Sequence, residues 1–393
     1  PLGRKRREDY CHFCDTRLLD TPPEKSRMVK KGRRYEILDY PLVDDLKRSA
    51  PLFRRIPNLF EIVSFDYWEK NYDYELSAEI KRWKERYLSS AGGMRHALKM
   101  LRFKYERMSD NGAFDDLAME EKLRLTNAFF GGGHELIVAQ RHFKKGARYD
   151  NQLFSSGEMT PEEHYQYFRF TLHALQEIMR HNRYARYVSV FQNWLAAAGA
   201  SQKHLHKQLV TIDEWGTSVE REIELVRRNP NLYNEFGTNY AGYHNLVIAE
   251  NDHAIAFADI GHRYPTLAIY SKSERCHPWE LGAKELRGFS DLVHGCHAAM
   301  GSAIPCNEEW YYKPPDAAVQ IPWHILIKWR INTPAGFEGG TKIYINTIDP
   351  YTMRDQMVER LFALKNKGKL ARFDIAFECD CGPNALRYNP GLR

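Results

Sequence analysis

The chain has 393 residues, 43% of them hydrophobic and 27% charged, so it can bury the core of two or three domain-sized units and is not a wholly disordered protein. No apolar run approaches the roughly 20 residues that a membrane-spanning helix needs, and the sequence predicts no membrane partner. The formal net charge of +6 suits anionic partners but is too small to predict nucleic-acid binding by itself.

The first 32 residues are polar and contain prolines, and we expect them to form an ordered loop region. Residues 4–7 are basic but lead into no apolar segment, so we interpret them as a solvated tail and not as a signal peptide. The same region contains Cys11-x-x-Cys14, a spacing found in metal sites, redox pairs and buried cysteine pairs. Seven cysteines spread over a long chain indicate a reducing cytoplasm with some metal ligation, and not a disulfide framework.

Hydrophobic spacing predicts the order of strands and helices. Strands are expected near 34–39 and 59–65, and helices over 74–87 and 94–108, separated by Gly92-Gly93. Further strands are predicted near 134–139, 187–193, 204–212, 244–250, 253–258, 266–270, 308–312 and 323–331, and further helices near 161–181, 214–228, 279–301 and 351–365. Short strand-rich runs interrupted by single helices indicate an α+β fold and not a doubly wound sheet.

The order of elements in the second half is similar to that in the first. Asn229-Pro230-Asn231 marks a boundary between an N-terminal unit of residues 1–230 and a C-terminal unit of residues 231–393. The helical stretch 66–130 is interpreted as an insertion in the first unit, and the sequence assigns it no role. The two halves share no detectable sequence repeat, so the similar order alone does not establish a duplication.

The run with the most chemical information is Gly199-Ala200-Ser201-Gln202-Lys203-His204-Leu205-His206-Lys207-Gln208. Residues two apart on a strand share a face, so His204, His206 and Gln208 are expected to project together. One imidazole could ligate a metal, the other could attack phosphorus, and the amide could donate to phosphoryl oxygens. The hydroxyl of Ser201 could also bind phosphate. An arbitrary His-x-His pair is more often a surface pair, and the spacing alone does not exclude that alternative.

The same run resembles the Gly-x-Ser-x-x-His-x-His-x-Gln motif of galactose-1-phosphate uridylyltransferase and its relatives, and every fixed position is met. These proteins are the nucleotidyl-transferring branch of the histidine-triad superfamily. The resemblance implies that His206 is the nucleophile, that His204 is a zinc ligand, and that Ser201 and Gln208 contact the transferred phosphate. Asn193 matches the Asn of a family Phe-x-Asn motif that supports the phosphate-binding loop.

A zinc site is implied by two further matches. Cys11 and Cys14, followed by Thr-Pro-Pro-Glu, are similar to the opening motif of the family. His142 follows the segment 134–138, which resembles a His-Glu-Val-Ile-Val strand that leads to a zinc-binding His. The resemblance therefore implies that Cys11, Cys14, His142 and His204 bind zinc, and such a mixed N/S set suits a tetrahedral structural site.

Two further residues are expected to bind substrate. Asn58 ends an Ile-Pro-Asn run that resembles the family's Val-Pro-Asn, which precedes a nucleotide-contacting segment. Lys203 flanks the histidine pair, as does Lys207, where relatives often carry proline or small residues. Either lysine could add a phosphate contact or simply be solvated.

The second half resembles the family less closely. The segments 245–251, 322–325 and 335–346 are similar to strands of the family's second unit. Some relatives bind a second metal there through a His-x-His pair, but only His324 is present, so we expect a hydrogen-bonded strand residue at that position. Cys379-Asp380-Cys381 is expected to be structural, because two cysteines cannot form a tetrahedral metal site alone.

The sequence as a whole predicts two histidine-triad-like antiparallel-sheet units, the first with a helical insertion. The implied activity is nucleotidyl transfer from a nucleotide or nucleotide sugar to a phosphorylated acceptor, through a covalent nucleotidyl-histidine. A phosphorylase or hydrolase of the same fold, or a non-catalytic zinc-stabilised binding protein, are the alternatives. The resemblance also implies a homodimer, whereas a nucleic-acid partner is not expected.

Overall fold

The computed structural model describes residues 11–108 and 113–392, so the basic run at residues 4–7 lies outside the described residues. The fold is α+β, as the sequence predicts, and the strand pairs are antiparallel. The strands are β1 (Ser26–Lys31), β2 (Arg34–Asp39), β3 (Pro51–Pro57), β4 (His134–Ala139), β5 (Tyr187–Trp194), β6 (His206–Ile212), β7 (Val247–Glu250), β8 (Ala254–Asp259), β9 (Thr266–Ser271), β10 (Cys306–Tyr311), β11 (His324–Trp329) and β12 (Asp374–Ile375). The helices are α1 (Val43–Leu46), α2 (Phe65–Tyr72), α3 (Ala78–Ser89), α4 (Ala91–Met108), α5 (Ala113–Asp116), α6 (Met119–Leu125), α7 (Asn127–Gly131), α8 (Pro161–His181), α9 (Thr217–Arg228), α10 (Tyr240–Tyr243), α11 (Ala283–Met300), α12 (Gly336–Thr341) and α13 (Pro350–Asn366).

Two compact units are built from several segments each. The first unit comprises Pro1–Gln152, His173–Val190 and His206–Asp213, and the second comprises Leu153–Leu172, Phe191–Leu205 and Glu214–Arg393. The boundary at residue 230 and the assignment of one histidine-triad-like unit to each side of it stay predictions.

In the first unit the strand order is β6-β4-β3-β1-β2. Leu136 of β4 pairs with Gln208 of β6 on one side and with Ile56 of β3 on the other. Because side chains alternate along a strand, Ile56, Leu136 and Gln208 project from one face of the sheet. Their neighbours in sequence project from the opposite face, which is where the charged residues Arg55 and Glu135 are buried.

Glu135 forms the centre of this buried charge network. Arg55 Nε donates to Glu135 Oε2, Arg55 Nη2 donates to Oε1 at 2.9 Å, and Lys25 Nζ donates to Oε1 at 2.7 Å. Lys25 Nζ also donates to the carbonyl oxygen of Gly132 at 2.8 Å. Burial by itself would raise the pKa of Glu135, but the two cations hold that pKa below its ordinary value. Glu135 is therefore ionised at neutral pH.

The helical insertion has its own apolar core in the first unit. Side chains from α2, α3, α4 and α7 form it, among them Trp68, Trp83, Met100 and Phe130. The predicted helices over 74–87 and 94–108 correspond to α3 and α4, although Gly92 and Gly93 lie in the first turn of α4 and not between the helices. A Cβ at Gly93 would lie 1.9 Å from the carbonyl oxygen of Tyr87, so the close approach of the two helices requires a residue without a side chain there.

Two local predictions are wrong. The first 32 residues include a strand, β1, where a loop was expected. Arg27 of β1 is fully buried, and its Nε donates a hydrogen bond to Glu24 Oε2 at 2.8 Å. Because a charged residue occupies a buried position, the alternation of apolar and polar residues that would predict a strand is not visible in the sequence. The segment 59–65, predicted as a strand, is a loop that leads into α2. Phe60 and Ile62 lie in this loop, and their side chains are 43% and 67% exposed. Its alternating side chains mimic a strand, but Ser64 caps α2 by accepting the amide of Tyr67.

In the second unit the strand order is β12-β7-β8-β9-β11-β10-β5. Helices α11 and α13 pack against each other and against β8. His324 of β11 is buried, stacks on Tyr270 with ring centroids 4.5 Å apart, and its Nδ1 hydrogen-bonds the carbonyl oxygen of Pro322 at 2.9 Å. It is thus a hydrogen-bonded strand residue, as expected from the sequence. The segment that resembles closing strands of the family instead contains the short helix α12 at Gly336–Thr341.

Removing the charge of Glu135 should destabilise the protein strongly. In Glu135→Gln, Arg55 and Lys25 keep their charges without a carboxylate, so we expect a loss of about 3–5 kcal/mol in the free energy of unfolding. Urea unfolding at pH 7 measures this loss. The matched control is Glu36→Gln, whose partner Lys31 is solvent-exposed and whose loss should stay below about 1 kcal/mol.

The pH dependence gives a second test of the same carboxylate. The pKa of Glu135 is lowered in the folded protein, so its stabilising contribution is complete above the unfolded pKa of about 4.3. It is lost as the pH falls through the lower folded pKa. Wild-type protein should therefore lose more stability than Glu135→Gln between pH 6 and pH 3, and parallel losses would contradict the assignment.

Candidate functional site

His206 and Gln208 lie on one face of β6, as the two-residue spacing predicts. His206 pairs with Val138 across β4, and its side chain is 3% exposed. The ring of Phe13 meets the ring of His206 edge-on, with centroids 5.3 Å apart. Phe13 also packs against a small apolar cluster that contains Val138 and Leu136. The imidazole of His206 is therefore held against an apolar wall and is not one of a pair of surface histidines.

Gln208 is held by a histidine that the sequence reasoning did not assign to the site. Gln208 Oε1 lies 3.0 Å from Nε2 of His134, and the backbone amide of Ile62 donates to Nδ1 of the same ring at 3.1 Å. Burial lowers the pKa of His134, so the ring is neutral at neutral pH. The sequence did draw attention to His134, because it is the first residue of the segment 134–138 that resembles the family's His-Glu-Val-Ile-Val strand.

Asn58 faces the same ring. Its Nδ2 lies 3.1 Å from Nε2 and 3.4 Å from Nδ1 of His134, and its Oδ1 accepts the amide of Phe60 at 3.3 Å. The amide of Asn58 also donates to the carbonyl oxygen of His134 at 2.8 Å. The structure thus brings Asn58, predicted from the sequence as a substrate-binding residue, into the hydrogen-bonded group that surrounds Gln208.

Asn193 supports a loop in the second unit. Its Oδ1 accepts Asn307 Nδ2 at 2.7 Å, and the same Nδ2 donates to the carbonyl oxygen of Ala198 at 2.8 Å. Gly199 follows with a φ of +82°, a left-handed conformation that glycine adopts without strain. Asn307 was not found by sequence reasoning, because it comes from β10, more than a hundred residues along the chain.

The remaining predicted site residues around this loop differ in their exposure. Ser201 and Lys203 are exposed, so both can meet a ligand from solvent. Lys207 was expected to be solvated or to bind phosphate, and the solvated alternative is wrong because its side chain is fully buried. On β6 it alternates with His206 and Gln208, and so projects from the opposite face of the strand.

The four predicted metal ligands come together. The ligand atoms of Cys11, Cys14, His142 and His204 all lie within 4.8 Å of one another. The two sulfur atoms are 3.8 Å apart, and Cys14 Sγ lies 3.6 Å from Nδ1 of His142. Two sulfur and two imidazole donors can surround one tetrahedral ion, so these residues form a Cys/His cluster that fits a metal. It is the only such cluster of three or more His, Cys, Asp or Glu found in the described part of the chain.

None of the helices in the described ranges is both long and apolar enough to cross a membrane. The α+β fold, with a Cys/His cluster that includes the first histidine of a His-x-His pair, is the fold that the resemblance predicted, and solved structures of a GalT-like protein and of a uridylyltransferase share it. A family model described as a domain of unknown function, DUF4921, matches residues 1–388, and the chain belongs to this family.

Several solved structures share this fold. The crystal structure of an ADP-glucose phosphorylase from Arabidopsis thaliana with bound ADP-glucose superimposes with a TM-score of 0.58 at 17% identity, covering 90% of this chain and 92% of that chain. The structure of a GalT-like protein from Arabidopsis thaliana has a TM-score of 0.59 at 17% identity, covering 91% and 94%. A uridylyltransferase mutant is more distant, with a TM-score of 0.50 at 16% identity, covering 58% of this chain and 76% of that chain.

One curated relative can be recognised from sequence. An ADP-glucose phosphorylase from Arabidopsis thaliana is 26% identical over 196 residues, which is 47% of this chain and 55% of the relative. The chain therefore spans about half the length of the curated relative that it matches.

Disrupting the Cys/His cluster should remove a metal ion from the protein. In Cys11→Ser we expect the bound metal, about one ion per chain in the wild type, to fall to a small fraction, because a thiolate ligand is lost. Elemental analysis of gently purified protein measures it. Cys379→Ser is the control, since Cys379 lies outside the cluster. Full metal content in Cys11→Ser would contradict the ligand assignment.

Proposed function

We propose that this protein is a nucleotidyl-transferring enzyme that acts on a nucleotide sugar, with His206 as the nucleophile. The observation that carries the proposal is the arrangement on β6. A buried imidazole and a carboxamide project from the same face of the strand, and His134 engages the carbonyl end of that carboxamide. The imidazole can attack phosphorus while the free amide end donates to a phosphoryl oxygen.

The reaction would proceed in two displacements. The lone pair of a neutral His206 ring nitrogen attacks the α-phosphorus, the bond from that phosphorus to the bridging oxygen breaks, and the sugar phosphate leaves with the electron pair. A phosphate oxygen of the acceptor then attacks the same phosphorus, and the bond to His206 breaks and restores the imidazole. Splitting the transfer in two avoids bringing two anions together in one encounter.

The same two-step transfer gives two different activities, depending on the acceptor. With a sugar phosphate as acceptor the protein is a nucleotidyltransferase, and with inorganic phosphate it is a phosphorylase. The sequence similarity to an ADP-glucose phosphorylase favours testing inorganic phosphate and an adenine donor first. The sequence motif by itself fits both acceptors.

We further propose that the Cys/His cluster holds zinc in a structural role. Zinc would fill a tetrahedral site with all four ligands from the protein, leaving no open position for substrate. Because His204 lies two residues before His206, holding it would fix the start of β6 and the backbone that carries the nucleophile. A homodimer and a cytoplasmic location stay predictions that rest on the family resemblance and on the cysteine content.

Covalent labelling tests the nucleophile directly. Protein incubated with a panel of radiolabelled nucleotides and nucleotide sugars should acquire an acid-labile label, because a phosphorus–nitrogen bond to histidine forms. In His206→Ala the label and turnover should both be lost, since the attacking nitrogen is gone. His173→Ala is the control, a histidine of α8 that pairs with Asp39. A wild-type protein that never labels would favour a non-catalytic binding protein instead.

Loss of the carboxamide should slow the chemistry without preventing it. In Gln208→Ala the label should still form, but roughly 10²–10³-fold more slowly, because one donor to the charge that develops on the phosphoryl oxygens is missing. Single-turnover labelling rates measure the effect. A Gln208→Ala protein that labels at the wild-type rate would refute the role given to this residue.

The identity of the acceptor follows from the products. With the donor that labels best, inorganic phosphate as the second substrate should release a nucleoside diphosphate, and a hexose 1-phosphate should release a new nucleotide sugar. Whichever acceptor discharges the labelled protein faster identifies the activity. Discharge only by water would identify a hydrolase.

A further inference from the structure

A carboxamide has two ends of opposite hydrogen-bonding character. If its NH₂ faces the transferred phosphate, it stabilises negative charge, whereas the oxygen end would repel it. The orientation of Gln208 therefore decides whether this residue can act as proposed. Within the described residues, the only hydrogen bond of the Gln208 side chain joins its Oε1 to Nε2 of His134 at 3.0 Å.

The backbone amide of Ile62 determines the tautomer of His134. It lies 3.1 Å from Nδ1, and a backbone N–H can only donate, so Nδ1 must carry the lone pair. A neutral imidazole with a lone pair on Nδ1 carries its proton on Nε2. That proton needs an acceptor, and of the two ends of Gln208 only the oxygen is one. The amide of Ile62 thus determines which end of Gln208 lies against His134.

Asn58 does not decide the tautomer. The amide of Phe60 donates to Asn58 Oδ1 at 3.3 Å, so the NH₂ of Asn58 faces the ring of His134. Its nitrogen lies 3.1 Å from Nε2 and 3.4 Å from Nδ1, so its position does not single out one ring nitrogen. The assignment of the proton to Nε2 therefore rests on the backbone amide of Ile62.

Cross-strand register explains why His134 can reach Gln208. Leu136 is directly opposite Gln208, and His134 is two residues away on the same strand. Such diagonal neighbours share a face of the sheet and are within reach of long side chains. The pairing of β4 with β6 brings the imidazole to the carboxamide without any contribution from a ligand.

We propose that His134 is a positioning residue. In this role its Nε2–H holds the oxygen of Gln208, so that the NH₂ of Gln208 is presented to the transferred phosphoryl group. This inference rests on the proposed function, because Gln208 has a phosphate to meet only if His206 forms the covalent intermediate. In this proposal His134 acts only through Gln208.

Removing the donor should slow the chemical step and leave binding nearly unchanged. In His134→Leu the carboxamide can rotate, so we expect the single-turnover labelling rate to fall roughly tenfold to hundredfold, less than when the oxyanion donor is lost outright. The concentration of donor nucleotide at half-maximal rate should change little. His134→Gln, whose amide can donate to Gln208 Oε1, should recover most of the rate.

A double-mutant cycle separates positioning from a general structural effect. If His134 acts only through Gln208, His134→Leu in a Gln208→Ala background should cause no further loss of rate. His181→Leu is the matched control, a histidine of the first unit that hydrogen-bonds Ser77 and Tyr40 away from Gln208, and it should keep the wild-type rate. A His134→Leu effect of equal size in both backgrounds would overturn the proposal.

Nitrogen NMR distinguishes failure of this inference from failure of the proposed function. In protein with ¹⁵N-labelled histidine, the ring signals that disappear in His134→Gln belong to His134, and they should show a protonated Nε2 and an unprotonated Nδ1. A proton on Nδ1 would overturn the inference even in an active enzyme. If the wild type never labels with any donor, the proposed function fails. The NMR measurement of the tautomer would still test whether Nε2–H of His134 holds the oxygen of Gln208.

Discussion

The antiparallel pairing of β6 with β4 is the constraint on which the proposed site in the first unit depends. It places His206 opposite Val138 and Gln208 opposite Leu136, and it brings His134 within hydrogen-bonding distance of the carboxamide. The side-chain period of a strand is two, so a slip of one residue would move this whole set to the other face. The chemistry proposed for β6 therefore requires this register of β6 with β4.

Charged residues on the opposite face explain why the register of β4 with its other neighbour, β3, is well defined. Glu135 and Lys207 are buried there, with Arg55 and Lys25 bonded to Glu135. A buried ion pair contributes little net stability, because the cost of removing both ions from water offsets their attraction. A register slip, however, would separate these charges from their partners at a cost of several kcal/mol. We interpret the network as a device that specifies one pairing of β3 with β4.

The loop after β3 determines the tautomer of His134. The backbone amide of Ile62 donates to Nδ1 of the ring, so the proton of the neutral imidazole lies on Nε2. The helical insertion follows directly, and the hydroxyls of Tyr67 and Tyr72 each donate to Asp213, one residue beyond β6, at 2.6 Å. The insertion thus contributes most of an apolar core and is also hydrogen-bonded to the residue that follows β6, the strand that bears the proposed nucleophile.

Local sequence was sufficient for most of the elements and for the face that His206 and Gln208 share, because periods of 2 and 3.6 residues are encoded by neighbours along the chain. The motif resemblance added the four members of the Cys/His cluster, whose ligands come from three separate segments of the chain. Periodicity failed for β1 and for the segment 59–65, where buried charge or exposed apolar side chains reversed the usual pattern. The burial of Lys207, the contact of Asn307 with Asn193 and the orientation of Gln208 by His134 were decided only by the tertiary structure. Each depends on which strands become neighbours and in what register, and no short stretch of sequence contains that information.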